Sequence, residues 1–268
     1  MDTDFVEGKT IKDKTKYIQN LADDIKNKML NLSSDKARKS SPYPIHLALG
    51  HEKLAATIAA TKDAGDKFVL THRNIHFNLA LSNNIEQEKI LKEAQAKPDG
   101  INNGNYGCMT LRNKKAGVSY TSSILGNNIS VGLGIASTLK KDNVTWIQVG
   151  DGSIEEGAFF ESMVFAVAQQ LRIIIVVENN NWSLGTSIDE RRKEIKLSNL
   201  AESIGLEYTE LSIDEGLASM YSKVKESRKR AIQIPQIIEC KLRTLGGYND
   251  DTRGYVSYHH GPVKEQVK

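Results

Sequence analysis

The sequence predicts an α/β fold of three layers, in which a parallel β-sheet is flanked by helices. Segments with helical periodicity alternate along the chain with short apolar segments, a pattern typical of this class. The clearest unit covers residues 144–181, where a strand at 144–149, a helix at 154–171 and a strand at 173–177 follow one another. The second strand is apolar on both faces, as expected for a strand buried inside a parallel sheet.

The other elements are predicted from periodicity and from turn-forming residues. Apolar residues at helical spacing between Ile11 and Met29 predict a helix over residues 10–32, and two prolines predict a loop at 38–44. Next come a helix at 47–64, a strand at 68–70, one or two helices, a long polar loop at 98–123 and a glycine-containing helix at 126–139. After the central unit we expect a helix at 214–230, a strand at 237–242 and a glycine-rich polar end.

The composition limits the classes of function. The 268 residues include 36 Lys and Arg against 33 Asp and Glu, and the net charge of +3 is too small to favour nucleic acid or a membrane surface as partner. The longest aliphatic run, at 173–177, is far shorter than the ~20 residues that span a bilayer. The first residues lack the apolar segment of a secretory signal, and Cys108 and Cys240 lack zinc-site spacing and are expected in the core. We therefore expect a cytoplasmic enzyme.

Polar residues follow both strands of the central unit. Gly150, Asp151 and Gly152 close the first strand, and Glu178 and three asparagines close the second. Because parallel strands of one βαβ unit end at the same edge of the sheet, these groups converge where α/β folds bind ligands. The glycines allow close approach of a bound group, and a helix that begins after Ser153 would offer backbone N–H groups to a phosphate or diphosphate.

The charge of Asp151 decides what else must bind there. A carboxylate would repel a bare anion, but a divalent cation between the two, with an asparagine oxygen and a backbone carbonyl as further ligands, removes the conflict. Ordinary structural turns are the alternative, since glycine, aspartate and asparagine are common turn formers. Their coincidence on sequential strands favours a magnesium–diphosphate site. The chain lacks G-x-G-x-x-G after a strand and G-x-x-x-x-G-K-[ST], which argues against a dinucleotide site or an NTPase loop.

The same residues resemble the signature of thiamine diphosphate-dependent enzymes, in which Gly-Asp-Gly is followed along the chain by a strand-end asparagine. The alpha subunits of the decarboxylating component of 2-oxo acid dehydrogenases are similar over about residues 45–200. The resembling segments are Leu-Gly-His-Glu at 49–52, Thr-His-Arg at 71–73, the glycine-rich segments at 104–109 and 124–136, and residues 179–191. The resemblance implies the diphosphate-binding version of the α/β fold.

The resemblance also implies roles for individual residues, with thiamine diphosphate and Mg²⁺ as the cofactors. The implied metal ligands are the side chains of Asp151 and Asn180 and the main-chain carbonyl of Trp182. The implied cofactor-binding residues are Gly150, Gly152, Ser153, Asn180 and Arg73, and His72 adds charge and is a candidate catalytic residue. His46, His51 and His76 are weaker candidates, since each is equally well explained as a partly buried structural histidine.

The end of the chain departs from the alpha subunits. Those carry His-Gly-His-Ser after the strand that corresponds to 237–242, whereas residues 242–248 here read Leu-Arg-Thr-Leu-Gly-Gly-Tyr. The segment at 258–263, with His259 and His260, instead resembles the end of transketolase amino-terminal halves, which makes His260 a candidate catalytic contact. The amino-terminal half of a split transketolase is therefore the alternative function, and a non-catalytic subunit that kept the fold is a further one.

The length implies a partner. Enzymes of the resembling family use a glutamate on a separate pyrimidine-binding domain, and 268 residues leave no room for it. We expect a single diphosphate-binding domain over 1–268, with an N-terminal helix and loop at 1–45, a core at 46–243 and a C-terminal loop segment at 244–268. The resemblance implies a beta-type subunit in an alpha2beta2 heterotetramer, with the glycine-rich helix at 126–134 near the interface.

Overall fold

The computed structural model describes residues 10–43, 45–140 and 142–245. Its strands are β1 (Lys67–Thr71), β2 (Val118–Ser122), β3 (Thr145–Gly150), β4 (Ile173–Asn179), β5 (Trp182–Ser183), β6 (Thr186–Ser187), β7 (Glu207–Ser212) and β8 (Gln236–Lys241). Six of them form one sheet in the order β2-β1-β3-β4-β8-β7, and every pairing in it is parallel. The short strands β5 and β6 pair with each other in an antiparallel hairpin.

Ten α-helices belong to the described part of the chain. They are α1 (Ile11–Leu32), α2 (Asp35–Lys39), α3 (Glu52–Thr61), α4 (Ile75–Leu81), α5 (Asn84–Ala94), α6 (Asn127–Ala136), α7 (Gly157–Ala168), α8 (Ile188–Arg191), α9 (Leu197–Ile204) and α10 (Leu217–Arg230). Within the described ranges, none of these helices is both long enough and apolar enough to pass through a membrane.

Two hydrophobic cores lie on opposite faces of the sheet, which confirms the predicted three layers. Trp146 and Ile174 join the core beneath α1, α3, α4 and α10, while the neighbouring Ile147 and Ile175 join the core beneath α6, α7 and α9. This alternation follows from the two-residue period of a strand. Both faces of β3 and β4 are therefore buried, which explains why these strands are apolar without interruption. Cys240 lies in the first core, as predicted for a thiol without zinc-site spacing.

The register of the central strands aligns their carboxyl ends. Thr145 of β3 lies opposite Ile173 of β4, and the pairing continues without a shift to Gly150 opposite Glu178. The residues that follow the two strands therefore leave the sheet at the same level. This is the juxtaposition that the βαβ unit predicted.

Three sequence predictions are wrong in detail. Strand β2 lies inside the segment that was predicted as a loop at 98–123. The prediction failed because the polar sequence Val-Ser-Tyr-Thr-Ser lacks the apolar alternation of a typical strand. The helix predicted at 154–171 does not start there, because Ser153–Glu155 form only a short 3-10 helix and extended backbone at Glu156 separates it from α7. The loop predicted at 38–44 starts too early, because α2 continues through residues 38–39.

Candidate functional site

A cavity of about 380 Å³ opens at the carboxyl ends of β1, β3 and β4. Ligands of parallel α/β sheets bind at this edge. Its lining is formed by His46, His51, Thr71, His72, Arg73, Met109, Ser122, Ser123, Ile124, Leu125, Asn128, Gly150, Asp151, Gly152, Ser153, Glu178, Asn180, Trp182, Ser183 and Leu184.

The turn after β3 brings a buried carboxylate into the cavity wall. Asp151 is only 2% exposed, and its Oδ2 accepts a hydrogen bond of 2.7 Å from Nη2 of Arg191 on α8. Burial raises the pKa of Asp151 to about 6, although the attraction of Arg191 opposes the rise. A cation at this carboxylate would favour its charged form, because opposite charge lowers the pKa of an acid.

The glycines on either side of Asp151 have different surroundings. A Cβ placed on Gly150 would meet no atom within 4 Å, so the missing side chain leaves open space at the cavity wall. A Cβ on Gly152 would lie 2.4 Å from Oγ of Ser183 and 3.2 Å from Nη1 of Arg191. Gly152 is therefore required by close packing, whereas Gly150 keeps room for a bound group.

The end of β4 contributes an amide whose orientation is fixed. Nδ2 of Asn180 donates to Oγ1 of Thr244 at 2.7 Å, while Oδ1 of Asn180 accepts the backbone N–H of Trp182 at 3.1 Å. Oγ1 of Thr244 also lies 2.9 Å from Nε2 of His51. Thr244 thus links the asparagine to the histidine cluster at the base of the cavity.

Glu178 is the centre of that cluster. Its Oε1 contacts Nε2 of His76 at 2.8 Å and Nδ1 of His51 at 3.1 Å, and its Oε2 accepts from Nε2 of Gln148. All four side chains are buried. Burial alone would raise the pKa of Glu178, but the charges of and hydrogen bonds from His76 and His51 hold its pKa well below the usual range. The carboxylate stays ionised because every acceptor oxygen has a donor.

The end of β1 supplies a buried guanidinium. Nη1 of Arg73 donates to the carbonyl of Leu47, while its Nη2 is buried without a hydrogen-bond partner among the described residues. Burial lowers the pKa of Arg73 to about 10, partly offset by attraction to Glu178, so the group stays cationic at neutral pH. The adjacent His72 lines the cavity, and its ring meets that of His46 edge-on with centroids 5.5 Å apart.

The structure gathers most of the predicted site residues around the one cavity. His72, Arg73, Gly150, Asp151, Gly152, Ser153, Asn180 and Trp182 all line it. His46 and His51 line it too, and His76 reaches it through Glu178. His260 lies outside the described residues, as does the segment at 258–263. The roles assigned to these residues stay predictions.

Three contributors were not found from the sequence. Gln148 donates both to Glu178 and to the carbonyl of Arg73, and the signal for it was a polar residue inside an apolar strand. Arg191 and Thr244 carried no such signal, because each lies far along the chain from the residue it contacts. The predicted helix N-terminus after Ser153 is absent, since only the short 3-10 helix forms there.

The chemistry of the lining fits a divalent cation bound to a diphosphate. A carboxylate, a side-chain amide and nearby main-chain carbonyls are the oxygen ligands that Mg²⁺ uses in proteins. Arg73 offers a buried N–H without an acceptor among the described residues, and Gly150 leaves the wall open. These residues could hold an anion through a cation and a guanidinium together.

The described residues form a parallel α/β fold with a cleft at the carboxyl edge of its sheet, lined by the carboxylate of Asp151 and the guanidinium of Arg73. A family model described as "Dehydrogenase E1 component" matches residues 21–255. The chain belongs to this family of dehydrogenase E1 components, and the predicted resemblance to alpha subunits of 2-oxo acid dehydrogenases is confirmed.

Similar proteins include two kinds of alpha subunit. A pyruvate dehydrogenase E1 component subunit alpha from Rickettsia bellii is 26% identical over 209 residues, which are 76% of this chain and 63% of that protein. The alpha subunit of acetoin:2,6-dichlorophenolindophenol oxidoreductase from Cupriavidus necator is 27% identical over 230 residues, covering 84% and 68% of the two chains. The chain thus spans less than two thirds of the length of the Rickettsia relative.

A solved structure supports the fold. A transketolase mutant from Pichia stipitis superposes with a TM-score of 0.59 at 18% identity, over 87% of this chain and 36% of that one. At this identity the likeness concerns the α/β architecture alone. It is consistent with the predicted diphosphate-binding fold.

Proposed function

We propose that this chain is the thiamine diphosphate- and Mg²⁺-binding alpha-type subunit of an enzyme that decarboxylates a 2-oxo acid. The observation that carries the proposal is the register of β3 and β4, whose aligned ends bring Asp151 and Asn180 to one cavity beside the open space at Gly150. Family membership supports the same conclusion.

Within this proposal each residue has a defined task. Asp151, the amide oxygen of Asn180 and the main-chain carbonyl of Trp182 hold Mg²⁺. Gly152 and Ser153 present backbone amides to the diphosphate, and Arg73 adds a guanidinium to it. Gly150 leaves the space that the bound group fills.

The bound cofactor supplies a carbon nucleophile for the substrate carbonyl and a sink for the electron pair that decarboxylation leaves. The chain's own groups orient it and control protons around it. His72 faces the cavity and is placed to hold or move a proton at its imidazole. Glu178 keeps His51 and His76 fixed beneath the site, with Thr244 linking His51 to the metal ligand Asn180.

A beta-type partner is part of the proposal, with an alpha2beta2 heterotetramer as the proposed assembly. Exposed apolar side chains surround the mouth of the cavity, with Ile124 at 69%, Leu184 at 60% and Leu125 at 47% exposure. A neighbouring subunit would cover such a patch. Gly134 on α6 has no atom within 4 Å of a Cβ position, which leaves room for close contact with another chain. A cytoplasmic location stays part of the proposal.

Two other substrate classes need to be separated from 2-oxo acids. The Cupriavidus relative is named for acetoin, which makes acetoin the second candidate substrate. The transketolase-like segment at 258–263 leaves ketol transfer by a split transketolase as the third. A non-catalytic subunit would turn over none of them.

Reconstitution with the beta-type subunit of the same organism tests the proposal. We expect 2-oxo acids to reduce an artificial electron acceptor only when both subunits, thiamine diphosphate and Mg²⁺ are present. Asp151→Ala should abolish this activity, while Asp24→Ala, on α1 at a half-exposed position outside the cavity lining, should retain it. Ketol transfer from a ketose to an aldose would replace the proposal with the transketolase alternative. Turnover at full rate by the single chain would contradict the proposed need for a partner subunit.

A further inference from the structure

Arg191 occupies the place beside Asp151 where the proposed metal ion would bind. Its Nη2 lies 2.7 Å from Oδ2 of Asp151 and 3.4 Å from Oε1 of Glu155. The guanidinium also lies against the turn, since Nη1 is 3.2 Å from a Cβ placed on Gly152. The side chain is 13% exposed. A cation supplied by the chain itself therefore neutralises the buried carboxylate.

The guanidinium is only partly satisfied by these contacts. Nε and Nη1 of Arg191 are buried and have no hydrogen-bond partner among the described residues. Buried donors without acceptors are uncommon in folded proteins, so two on one side chain point to an acceptor that joins the site later. They adjoin Gly152, whose backbone is proposed to hold the diphosphate.

We infer that Arg191 is an exchangeable counter-ion, which neutralises Asp151 in the cation-free protein and transfers to the diphosphate when a divalent cation binds Asp151. The inference rests on the proposed function, because it assumes that Asp151 is a metal ligand. A divalent cation on Asp151 would lie next to the guanidinium that Oδ2 holds at 2.7 Å, and the repulsion between the two positive charges drives Arg191 away from this carboxylate. A diphosphate offers several oxygens to the planar donor fork of arginine.

The exchange couples the two binding events. A cation that binds alone separates Arg191 from Asp151 and leaves it, among the described residues, only Glu155, a carboxylate that already pairs with Arg192. A cation that binds with the diphosphate gives the guanidinium a new acceptor. Arg191 therefore weakens the binding of the cation alone and strengthens the binding of the diphosphate, and by linkage each ligand favours the other.

Arg192 provides a matched control. It follows Arg191 in the chain, but its Nε binds Oε1 of Glu155 at 2.8 Å and its Nη1 donates to the carbonyl of Lys193 at 3.1 Å. Its ion pair therefore involves Glu155 and not Asp151. Removing its charge changes the local net charge by the same amount as removing that of Arg191.

Two titrations of the full chain test the inference. The affinity for Mn²⁺ alone is measured from the electron paramagnetic resonance signal of the free ion. The affinity for thiamine diphosphate at saturating Mg²⁺ is measured from tryptophan fluorescence, since Trp182 lines the cavity. For Arg191→Gln we expect Mn²⁺ to bind about tenfold more tightly and thiamine diphosphate about tenfold more weakly, within the usual range of coupling between sites. Arg192→Gln should match the wild type in both.

The opposite signs of the two changes distinguish counter-ion exchange from a structural role. A variant that merely loosened the turn would bind both ligands more weakly, and that result, or unchanged Mn²⁺ affinity, would overturn the inference. If Arg191→Gln does not fold, Arg191→Lys takes its place, because lysine keeps the positive charge but lacks the planar donor fork. Diphosphate affinity at the wild-type level in Arg191→Lys would also overturn the inference. Asp151→Asn should lose Mn²⁺ binding. If it does not, the proposed function fails instead.

Discussion

At the scale of single residues, the site depends on buried carboxylates that the fold keeps close to cationic or N–H groups. Glu178 has histidines on one oxygen and an amide on the other, while the side chain that pairs with Asp151 is Arg191. The difference appears in their acidities, since the pKa of Glu178 falls below its usual range and burial raises that of Asp151 to about 6. Asp151 is therefore the carboxylate that gains most from an added cation.

Residue types at the strand ends could be predicted, whereas their partners could not. A buried βαβ unit fixes where Asp151 and Asn180 lie, because the two strands share an edge. Arg191 and Thr244 reach the site through side chains from α8 and from the segment after β8. Contacts of this kind depend on three-dimensional packing, and no local pattern in one sequence encodes them.

The link from Thr244 to Asn180 gives a prediction at this scale. Thr244→Val keeps the shape of the side chain but removes the oxygen that accepts from Asn180 and contacts His51. We expect affinity for thiamine diphosphate with Mg²⁺ to fall about tenfold, because the half-buried amide of Asn180 loses the partner that fixes its orientation. Isothermal titration measures this affinity. Thr209→Val removes a hydroxyl that contacts Ser227 and should leave it unchanged, so equal losses in both variants would contradict the assigned role.

At the scale of elements, the aligned ends of β3 and β4 are what create the site. Their apolar sequences made both strands predictable, and their adjacency in the sheet follows from the βαβ connection through α7. Strand β2 and the edge strand β7 were missed because polar residues dominate both. A strand at the edge of a sheet has a solvent-exposed side, so its sequence lacks the apolar run that marks a central strand.

The two glycines after β3 should respond differently to alanine. Gly150→Ala places a methyl group where no protein atom lies within 4 Å, so the free energy of unfolding should stay unchanged or rise by up to about 1 kcal/mol. The same methyl group enters the space proposed for the diphosphate, and cofactor affinity should fall at least about tenfold. Gly152→Ala meets Oγ of Ser183 and should lower stability by about 1–3 kcal/mol.

Urea unfolding and titration with thiamine diphosphate, applied to both variants, separate these effects. Normal cofactor binding by a stable Gly150→Ala variant would contradict the placement of the diphosphate. Loss of stability in that variant would contradict the open space seen beside β3.

An ion pair at the amino end of β1 joins the sheet to α10. Arg228 contacts both carboxylate oxygens of Asp66 at 2.9 Å, and Asp66 also accepts from Nε1 of Trp146 at 3.0 Å. Both charged side chains are buried, at 3% and 5% exposure. They hold the helix layer against β1 and β3 at the edge opposite the cavity.

Breaking this pair should destabilise the whole domain. Asp66→Ala leaves the guanidinium of Arg228 buried without its main acceptor, and we expect a loss of about 3–5 kcal/mol in the free energy of unfolding. Lys241→Gln removes an ion pair with Glu210 in which both side chains are more than half exposed, and should change stability by less than about 1 kcal/mol. Urea denaturation measures both values. Similar losses of unfolding free energy in the two variants would contradict the view that burial makes the Asp66–Arg228 pair more important than the exposed pair.

At the scale of the whole molecule, the sequence predicted the three layers because the central strands are apolar on both faces. The family followed from residues 45–200, and the match over residues 21–255 extends it over most of the chain. The sequence did not determine whether the substrate is a 2-oxo acid, acetoin or a ketose. Substrate specificity depends on what encloses the cavity, and its exposed apolar mouth is where the proposed partner would contribute.

The proposed partner subunit is supported by the family and by the surface around the cavity. The described residues form one α/β fold whose cavity opens beside exposed apolar residues. The proposed enzyme is accordingly an assembly of this chain with a pyrimidine-binding subunit. The central claim, however, concerns this chain alone: it binds a diphosphate through a cation held by Asp151.

Calorimetric titration with thiamine diphosphate, with and without Mg²⁺, tests that claim most directly. We expect the wild-type chain and Asp24→Ala to bind the cofactor equally well and only when Mg²⁺ is present, and Asp151→Ala to bind it under neither condition. Absence of binding by the wild type in Mg²⁺, or unchanged binding by Asp151→Ala, would contradict the account.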